Sequence, residues 1–320
     1  MKTPSSNGTL HTTDESMLQT TVERVTGQIS HQVRDSLAVE EPLEIQLTYG
    51  PSNARQTRSI SVTMRTPGND FDLAAGFLMT EGVIQDANDV EQIVYAGDSF
   101  NEGPQSPQAM DELKLGSRQN TVRVDLGADI RVNVGSLQRN FYTTSSCGIC
   151  GKASLLALRT VCPPRVANNF KVDAQLLYRL PERLRASQGV FDRTGGLHGA
   201  GLFDSAGNLL ALREDVGRHN AVDKLIGSEF LADRTPLRDR LLLLSGRASF
   251  ELLQKALMGG LPMVAAVVAP SSRAVQVAKE FDITLVGFLR ENHFNIYHGS
   301  ERIAGYTSAS MTLRNGSVLD

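Results

Sequence analysis

Cysteine is scarce in this sequence: three residues in 320, an odd number that cannot make the disulfide framework of a small secreted domain. Long apolar runs are missing too. The longest, Met263 to Ala269, falls far short of the roughly 20 residues a membrane-spanning helix needs, and the N-terminus has no basic-then-apolar leader pattern. A cytoplasmic protein with no membrane partner is the expectation. Charge of one sign is also lacking: the formal net charge of −3 and pI near 6.1 exclude the global basic field used for nonspecific DNA or RNA binding. There is no solenoid-type repeat and no Gly-x-x-x-x-Gly-Lys-Ser/Thr phosphate loop. What remains is 41% hydrophobic residues, enough to bury a core, in a length that fits one large or two ordinary domains.

The opening stretch from Met1 is polar and nearly free of apolar side chains, so burial cannot offset its ordering entropy. A disordered tail is expected over residues 1–30. Leu43–Leu47 and Ile60–Met64 alternate apolar with polar around the turn residues Tyr49-Gly-Pro-Ser-Asn53, which predicts a hairpin. A short helix follows at Asp70–Thr80, a surface loop over 97–120 and a strand at Thr121–Leu126. These make a small α+β domain over 31–140. From 141 to 320 the pattern predicts a helix over Lys152–Cys162, one over Asp173–Arg185 interrupted near Pro181, and a hairpin of Leu197–Phe203 with Leu209–Arg213. A helix with Asp215 as N-cap comes next. Strand Leu241–Ser245, helix Ala248–Met258, strand Met263–Ala269, helix Arg273–Phe281 and strand Ile283–Leu289 then alternate. The expected class is α/β, with a layered, partly parallel sheet.

Three constellations bear chemistry. Cys147-Gly148-Ile149-Cys150, within Thr143–Lys152, holds two of the three cysteines. Ser145 or Ser146 can cap the helix that follows, which puts both thiols at its positive end beside Lys152, where a thiolate is favoured. Gly148 and Gly151 clear bulk from around the sulfur and predict a mobile loop. Such a thiolate can attack a disulfide, a persulfide or an electrophile; a zinc half-site, a redox dithiol and an inert pair are the alternatives, although no second Cys-x-x-Cys completes a zinc site. Second, Ser245-Gly246-Arg247 and Pro270-Ser271-Ser272-Arg273 each join a strand to a helix, where free N–H groups, hydroxyls and an arginine suit phosphate. Third, Glu214, Asp215, Arg218, His219 and Asn220 crowd one helix start more densely than capping requires, near the glycine-rich Gly195–Gly201. The order of these elements resembles the layout of cytidine deaminases, whose zinc chemistry needs His-x-Glu and Pro-Cys-x-x-Cys on successive helices. None of the six histidines has Glu two residues on, so hydrolytic deamination is not expected.

Together Ser-Ser-Cys147-Gly-Ile-Cys150-Gly-Lys, Gly-Gly-Leu-His198-Gly-Ala, Glu214-Asp-Val-Gly-Arg-His-Asn-Ala-Val-Asp-Lys224, Ser245-Gly-Arg-Ala-Ser-Phe-Glu251, Ala269-Pro-Ser-Ser and Val286-Gly-Phe-Leu-Arg290 resemble the formate dehydrogenase accessory sulfurtransferases, the FdhD/NarQ type. The resemblance implies a cytidine-deaminase-like three-layer C-terminal domain beside a smaller α+β N-terminal domain. It implies sulfur accepted as persulfide from a cysteine desulfurase and passed to the bis-molybdopterin guanine dinucleotide of formate dehydrogenase, with molybdenum or tungsten as its metal. Cys147 matches the persulfide-bearing position and Cys150 the second thiol; no resident metal is implied. Cofactor-binding positions fall on Phe288, Leu289, Arg290, Glu291, Asn292 and His293. Ser245, Gly246, Arg247, Ser271, Ser272 and His219 suit the guanine nucleotide ends, for which a free guanine nucleotide is a partial mimic. A homodimer fits a substrate this large. The rival readings are a zinc or redox binding protein, marked by bound metal or a stable Cys147–Cys150 disulfide, and an enzyme converting a guanine or cytosine nucleotide.

Overall fold

The computed structural model describes residues 14–96, 120–130, 132, 158 and 169–307. It has a two-domain α/β architecture with mixed sheets. In the first domain β3 (Glu41–Tyr49) and β4 (Gln56–Arg65) form the predicted antiparallel hairpin, and β5 (Val90–Tyr95) and β6 (Thr121–Leu126) complete a sheet of order β4-β3-β6-β5. Only the β3–β6 pair is parallel. The period-two pattern points Leu43, Ile45, Leu47, Val122 and Val124 inward, all 0% exposed. Helix α1 (Asp70–Thr80) covers them with Leu73, Ala74 and Leu78. The domain boundary expected at 140/141, all but Leu158 of the helix expected at Lys152–Cys162 and nearly all of the loop expected over 97–120 lie outside the described residues.

The second domain is built on a six-stranded sheet of order β13-β12-β11-β10-β8-β9, from β8 (His198–Phe203), β9 (Leu209–Asp215), β10 (Leu241–Leu244), β11 (Met263–Ala266), β12 (Thr284–Gly287) and β13 (Asn295–His298). Strands β10, β11 and β12 are parallel, while β8 runs against both β10 and β9. Helices α4 (Arg218–Leu231), α5 (Phe250–Met258) and α6 (Ser272–Glu280) pack on one face; α2 (Ala174–Ser187) packs on the other. The four leucines of β10 are apolar without alternation because both faces are covered. Leu242 and Leu244 join the core under α4–α6, Leu241 and Leu243 that under α2.

Three expectations need correction. Residues 1–30 do not form a tail throughout. From Met17 the chain is a strand, β1 (Met17–Thr26), paired over ten residues with β2 (Ile29–Ala38) in a two-stranded sheet of its own. Its apolar residues are few but fall at strand spacing, and ladder hydrogen bonds supply the rest. Helix α2 also continues through Pro181. Leu177, Leu180 and Leu184 are each at most 1% exposed, and burial of each contributes about 1.5–3 kcal/mol against roughly 3 kcal/mol for an interior proline. Finally, Asp215 ends β9 rather than capping a helix, and α4 starts at Arg218 after Gly217.

The two domains share one apolar core. Helices α1 and α4 cross at Gly76 and Gly227, where a Cβ on either glycine would lie 1.9 Å from a backbone oxygen of the other helix. Buried charges pin the same seam. Lys224 meets Asp215 at 2.7 Å and donates to the Thr66 carbonyl at 2.7 Å; Thr66 N–H donates to Asp215 at 3.1 Å. Lys255 of α5 meets Asp223 at 2.9 Å and donates to the Thr80 hydroxyl of α1 at 3.1 Å.

Candidate functional site

The Cys147–Cys150 motif lies outside the described residues. The geometry on view is the sheet edge at which the parallel strands end. The turns after β10, β11 and β12 open there. Because β8 is reversed, its first residue, His198, lies at the same edge, opposite Asp215 at the end of β9. The first turn of α4 begins three residues further on, at Arg218. One edge thus gathers His198, Arg218, His219, Ser245–Arg247, Pro270–Arg273 and Phe288–His293, the crevice where α/β sheets bind ligands.

Most of the polar cluster that begins at Glu214 builds the scaffold. The Glu214 carboxylate accepts from Val190 and Phe191 N–H at 3.2 and 2.9 Å, at the start of α3 (Gly189–Thr194). Asn220 donates to the Met64 carbonyl at 2.8 Å and to Asp215 at 3.1 Å. With Lys224 these groups fix the start of α4 against β4 and leave Arg218 and His219 facing the edge. Burial pushes the His219 imidazole down to about 4, helped by the charges of Lys255 and Arg218. Burial and Arg218 lower His198 as well. Both rings are therefore neutral at pH 7. Nε2 of His219 is buried with no hydrogen-bond partner among the described residues; the Glu251 carboxylate, at the start of α5, is 3.9 Å away, too far to hydrogen-bond.

The strand-to-helix turns divide their residues between support and surface. Ser245 accepts from Gly199 N–H at 2.9 Å through its hydroxyl and donates its own N–H to the Gly199 carbonyl at 3.0 Å. Gly246 lies against His198, so closely that a Cβ would sit 3.4 Å from the ring. Ser271 caps α6, accepting from Ala274 N–H at 3.1 Å. Arg247, Ser272 and Arg273 are exposed. The turn after β12 holds Phe288 at φ 53°, with its side chain 37% exposed. A non-glycine residue in this region stores roughly 1–3 kcal/mol of strain, an outlier of the kind that clusters at functional sites. Arg290 N–H donates to the His293 carbonyl at 2.9 Å, closing the turn on which Arg290, Glu291, Asn292 and His293 are exposed. Leu289 is 0% exposed and packs in the α2-side core, so its contribution is to shape the turn.

The expected residues share the edge but form two groups. On the α4–α5 side, Gly246 of the Ser245–Arg247 turn lies against His198, which in turn is an electrostatic neighbour of His219. Leu289, Arg290 and Glu291 instead meet Pro181, Glu182, Arg185 and Ala186 of α2, around an open groove of about 480 Å³. Glu251, Arg185 and the neutral character of His198 and His219 were not among the ligand residues expected from sequence. Ser249-Phe-Glu251 reads as a helix start, and Arg185 as an exposed helical charge; only the sheet brings them to the edge.

A model of the FdhD/NarQ family matches residues 38–304. A sulfur carrier protein FdhD from Streptomyces coelicolor is 50% identical over 272 residues, covering 84% of this chain and 89% of the relative. One from Mycobacterium tuberculosis is 48% identical over 270 residues, covering 84% and 92%. A crystal structure described as that of a candidate formate dehydrogenase accessory protein from Desulfotalea psychrophila superposes with a TM-score of 0.66 at 21% identity, over 90% of this chain and all of the other; it shows a shared fold.

Proposed function

The chain belongs to the FdhD/NarQ family, and from that premise we infer how its residues serve a sulfur carrier. It is a sulfurtransferase acting in formate dehydrogenase maturation through a cysteine persulfide. We assign the persulfide to Cys147 and the second thiol to Cys150. The Cys147 thiolate attacks the sulfane sulfur of a cysteine desulfurase persulfide, the new S–S bond forms on Cys147, and the desulfurase cysteine leaves as thiolate. The substrate that receives the sulfur is the bis-molybdopterin guanine dinucleotide cofactor, with molybdenum or tungsten. The donor and the client dehydrogenase make the cytoplasm the expected place of action. No helix among the described residues is long and apolar enough to cross a membrane.

The observation that bears most weight is the sheet edge with its two separate groups. Arg247 with the Ser271–Arg273 turn on one side, and Phe288, Arg290 and the α2 groove on the other, suit a substrate with two nucleotide ends. Exposed guanidinium groups take phosphate. His219, neutral and with a buried Nε2 that has no partner among the described residues, suits an uncharged heterocycle edge. The strand order β9-β8-β10-β11-β12, with β8 alone reversed, supports the cytidine-deaminase-like layout. Ala221 where a deaminase-type His219-x-Glu would need its acid, and Ser245-Gly246-Arg247 where the cysteine turn would stand, speak against deamination.

The test is intact mass spectrometry after incubation with a cysteine desulfurase and cysteine. The wild type should gain about 32 Da per sulfur atom, and Cys147→Ala should gain none at the motif while keeping its fold. Full formate dehydrogenase maturation by Cys147→Ala would overturn the assignment.

A further inference from the structure

His219, Ser249 and Glu251 form a polar corner of the sheet edge that phosphate contacts leave unused. Glu251, in the first turn of α5, places Oε2 3.9 Å from Nε2 of His219 in the first turn of α4. The Ser249 hydroxyl lies near the same carboxylate without a hydrogen bond to it. Arg218 acts electrostatically on His198, His219 and Glu251 alike, so these groups belong together. Buried polar atoms are nearly always paired, yet His219 Nε2 and Ser249 Oγ are both buried with no hydrogen-bond partner among the described residues. Burial raises the Glu251 carboxyl, but its own backbone N–H and the charge of Arg218 outweigh that and hold it below the usual carboxylate range. It is therefore an ionised acceptor at neutral pH. The His219 side chain is 39% exposed and that of Glu251 59%, so the corner is open to a ligand, and Glu251 is free to turn and admit one.

An ionised carboxylate accepts only, and a neutral imidazole with its proton on Nε2 donates there; the neighbouring carboxylate favours that tautomer. Acceptor beside donor is the complement of one purine edge. Guanine presents two donors, N1–H and the 2-amino group, next to the O6 acceptor, whereas adenine has a bare N1 next to a 6-amino donor. Resting on the reading that this edge takes the nucleotide ends of the substrate, we propose that Glu251 and His219 select guanine, the carboxylate accepting from N1–H and the 2-amino group and His219 Nε2–H donating to O6. A pterin carries the same amino-oxo edge. The exposed Arg247, two residues before Ser249, supplies a phosphate contact on the same side and favours the nucleotide. Arg247 and Arg290 hold phosphate whatever the base, so discrimination between bases falls to Glu251 and His219.

Isothermal titration calorimetry of the full chain with guanosine, inosine, xanthosine and adenosine diphosphates tests this. The guanosine compound should bind at least about tenfold more tightly than the inosine one, which lacks the 2-amino group, and than the adenosine one, the effect of one charge-assisted hydrogen bond. Xanthosine diphosphate, whose 2-oxo group would face the carboxylate, should bind more weakly still. Glu251→Gln exchanges one acceptor oxygen for a donor. It should weaken guanosine diphosphate and strengthen xanthosine diphosphate, narrowing the preference between them at least about tenfold, with unchanged circular dichroism because the side chain is exposed. 6-Hydroxymethylpterin should bind the wild type more weakly than guanosine diphosphate, and tighter binding would overturn the assignment to guanine. Equal affinity for the four nucleotides, or a preference that Glu251→Gln leaves unchanged, would overturn base selection while the edge kept its role in holding nucleotides. Failure of all four to bind would overturn both.

Discussion

Lys224 is the position where the seam between the domains can be tested most directly. Its ammonium is 1% exposed beside Asp215 at 0%, 2.7 Å away, and donates to the Thr66 carbonyl of the other domain. Lys224→Met preserves the length of the side chain and removes the charge. Asp215 would keep donors in Thr66 N–H, Gly217 N–H at 2.7 Å and Asn220 Nδ2 but lose its only close cation among the described residues. Breaking one partner of a buried pair costs about 3–5 kcal/mol, because a desolvated carboxylate is left behind. Urea denaturation followed by circular dichroism should show that loss as a lower midpoint with an unchanged slope. Adding Asp215→Asn to Lys224→Met removes the stranded charge and should recover part of the stability, a non-additivity expected of groups in contact. Since the pair also fixes the start of α4, with Arg218 and His219, the single variant should bind guanine nucleotide more weakly. A midpoint within about 1 kcal/mol of wild type, or strictly additive effects, would refute the view that this pair ties the domains together.

Gly227→Ala would put a Cβ 1.9 Å from the Asp72 carbonyl oxygen and 2.6 Å from Gly76 N, both backbone atoms; the helices must separate, and the expected loss in a thermal or urea melt is at least the ~1–3 kcal/mol of ordinary overpacking. His219 takes up its proton near pH 4 in the folded chain but near 6.5 when unfolded. The unfolded state therefore binds more protons between those values, and the stability His219 contributes is present above pH 6.5 and lost as pH falls toward 4. His219→Gln should flatten that part of the stability-against-pH curve, and an unchanged slope would show that the ring is not held neutral. Arg247→Ala and Arg290→Ala should each weaken guanosine diphosphate binding by calorimetry by roughly 1.5–3 kcal/mol, the range of a charge-assisted hydrogen bond; unchanged affinity in both would remove the edge from the binding site.

Much of this arrangement was legible in the sequence. Ile60–Met64 and Thr121–Leu126 declare their strands by alternation, and β10 and β11 by short apolar runs between turn residues. The parallel order then places Ser245–Arg247 and Pro270–Arg273 at one edge without further information. What was not legible depends on partners distant in the chain. Asp215 has the right chemistry for a helix cap, yet it ends a strand because Lys224 and Thr66 claim its carboxylate. Pro181 signals a break, but the leucines around it face a sheet that begins only at His198. The unpartnered nitrogen of His219 is set by its burial beneath the edge, which no local pattern encodes. Cys147 and Cys150 alone leave a sulfur carrier, a zinc half-site and a redox dithiol open; the family relationship, carried by the longer set of motifs, is what decides for a sulfur carrier.

The shared core also bears on how the chain is made. Helix α1 cannot bury its outer face until α4 exists, and Thr80 waits 143 residues for Asp223. At synthesis rates of about 5–20 residues per second, that is roughly 7–30 s in which Leu78, Met79 and the α1 surface around Gly76 are open to solvent. The N-terminal domain is complete in sequence long before it is complete in packing. A nascent chain arrested before Arg218 should therefore be protease-sensitive and bind holdase chaperones, and release from both should come only once α4 has left the ribosome.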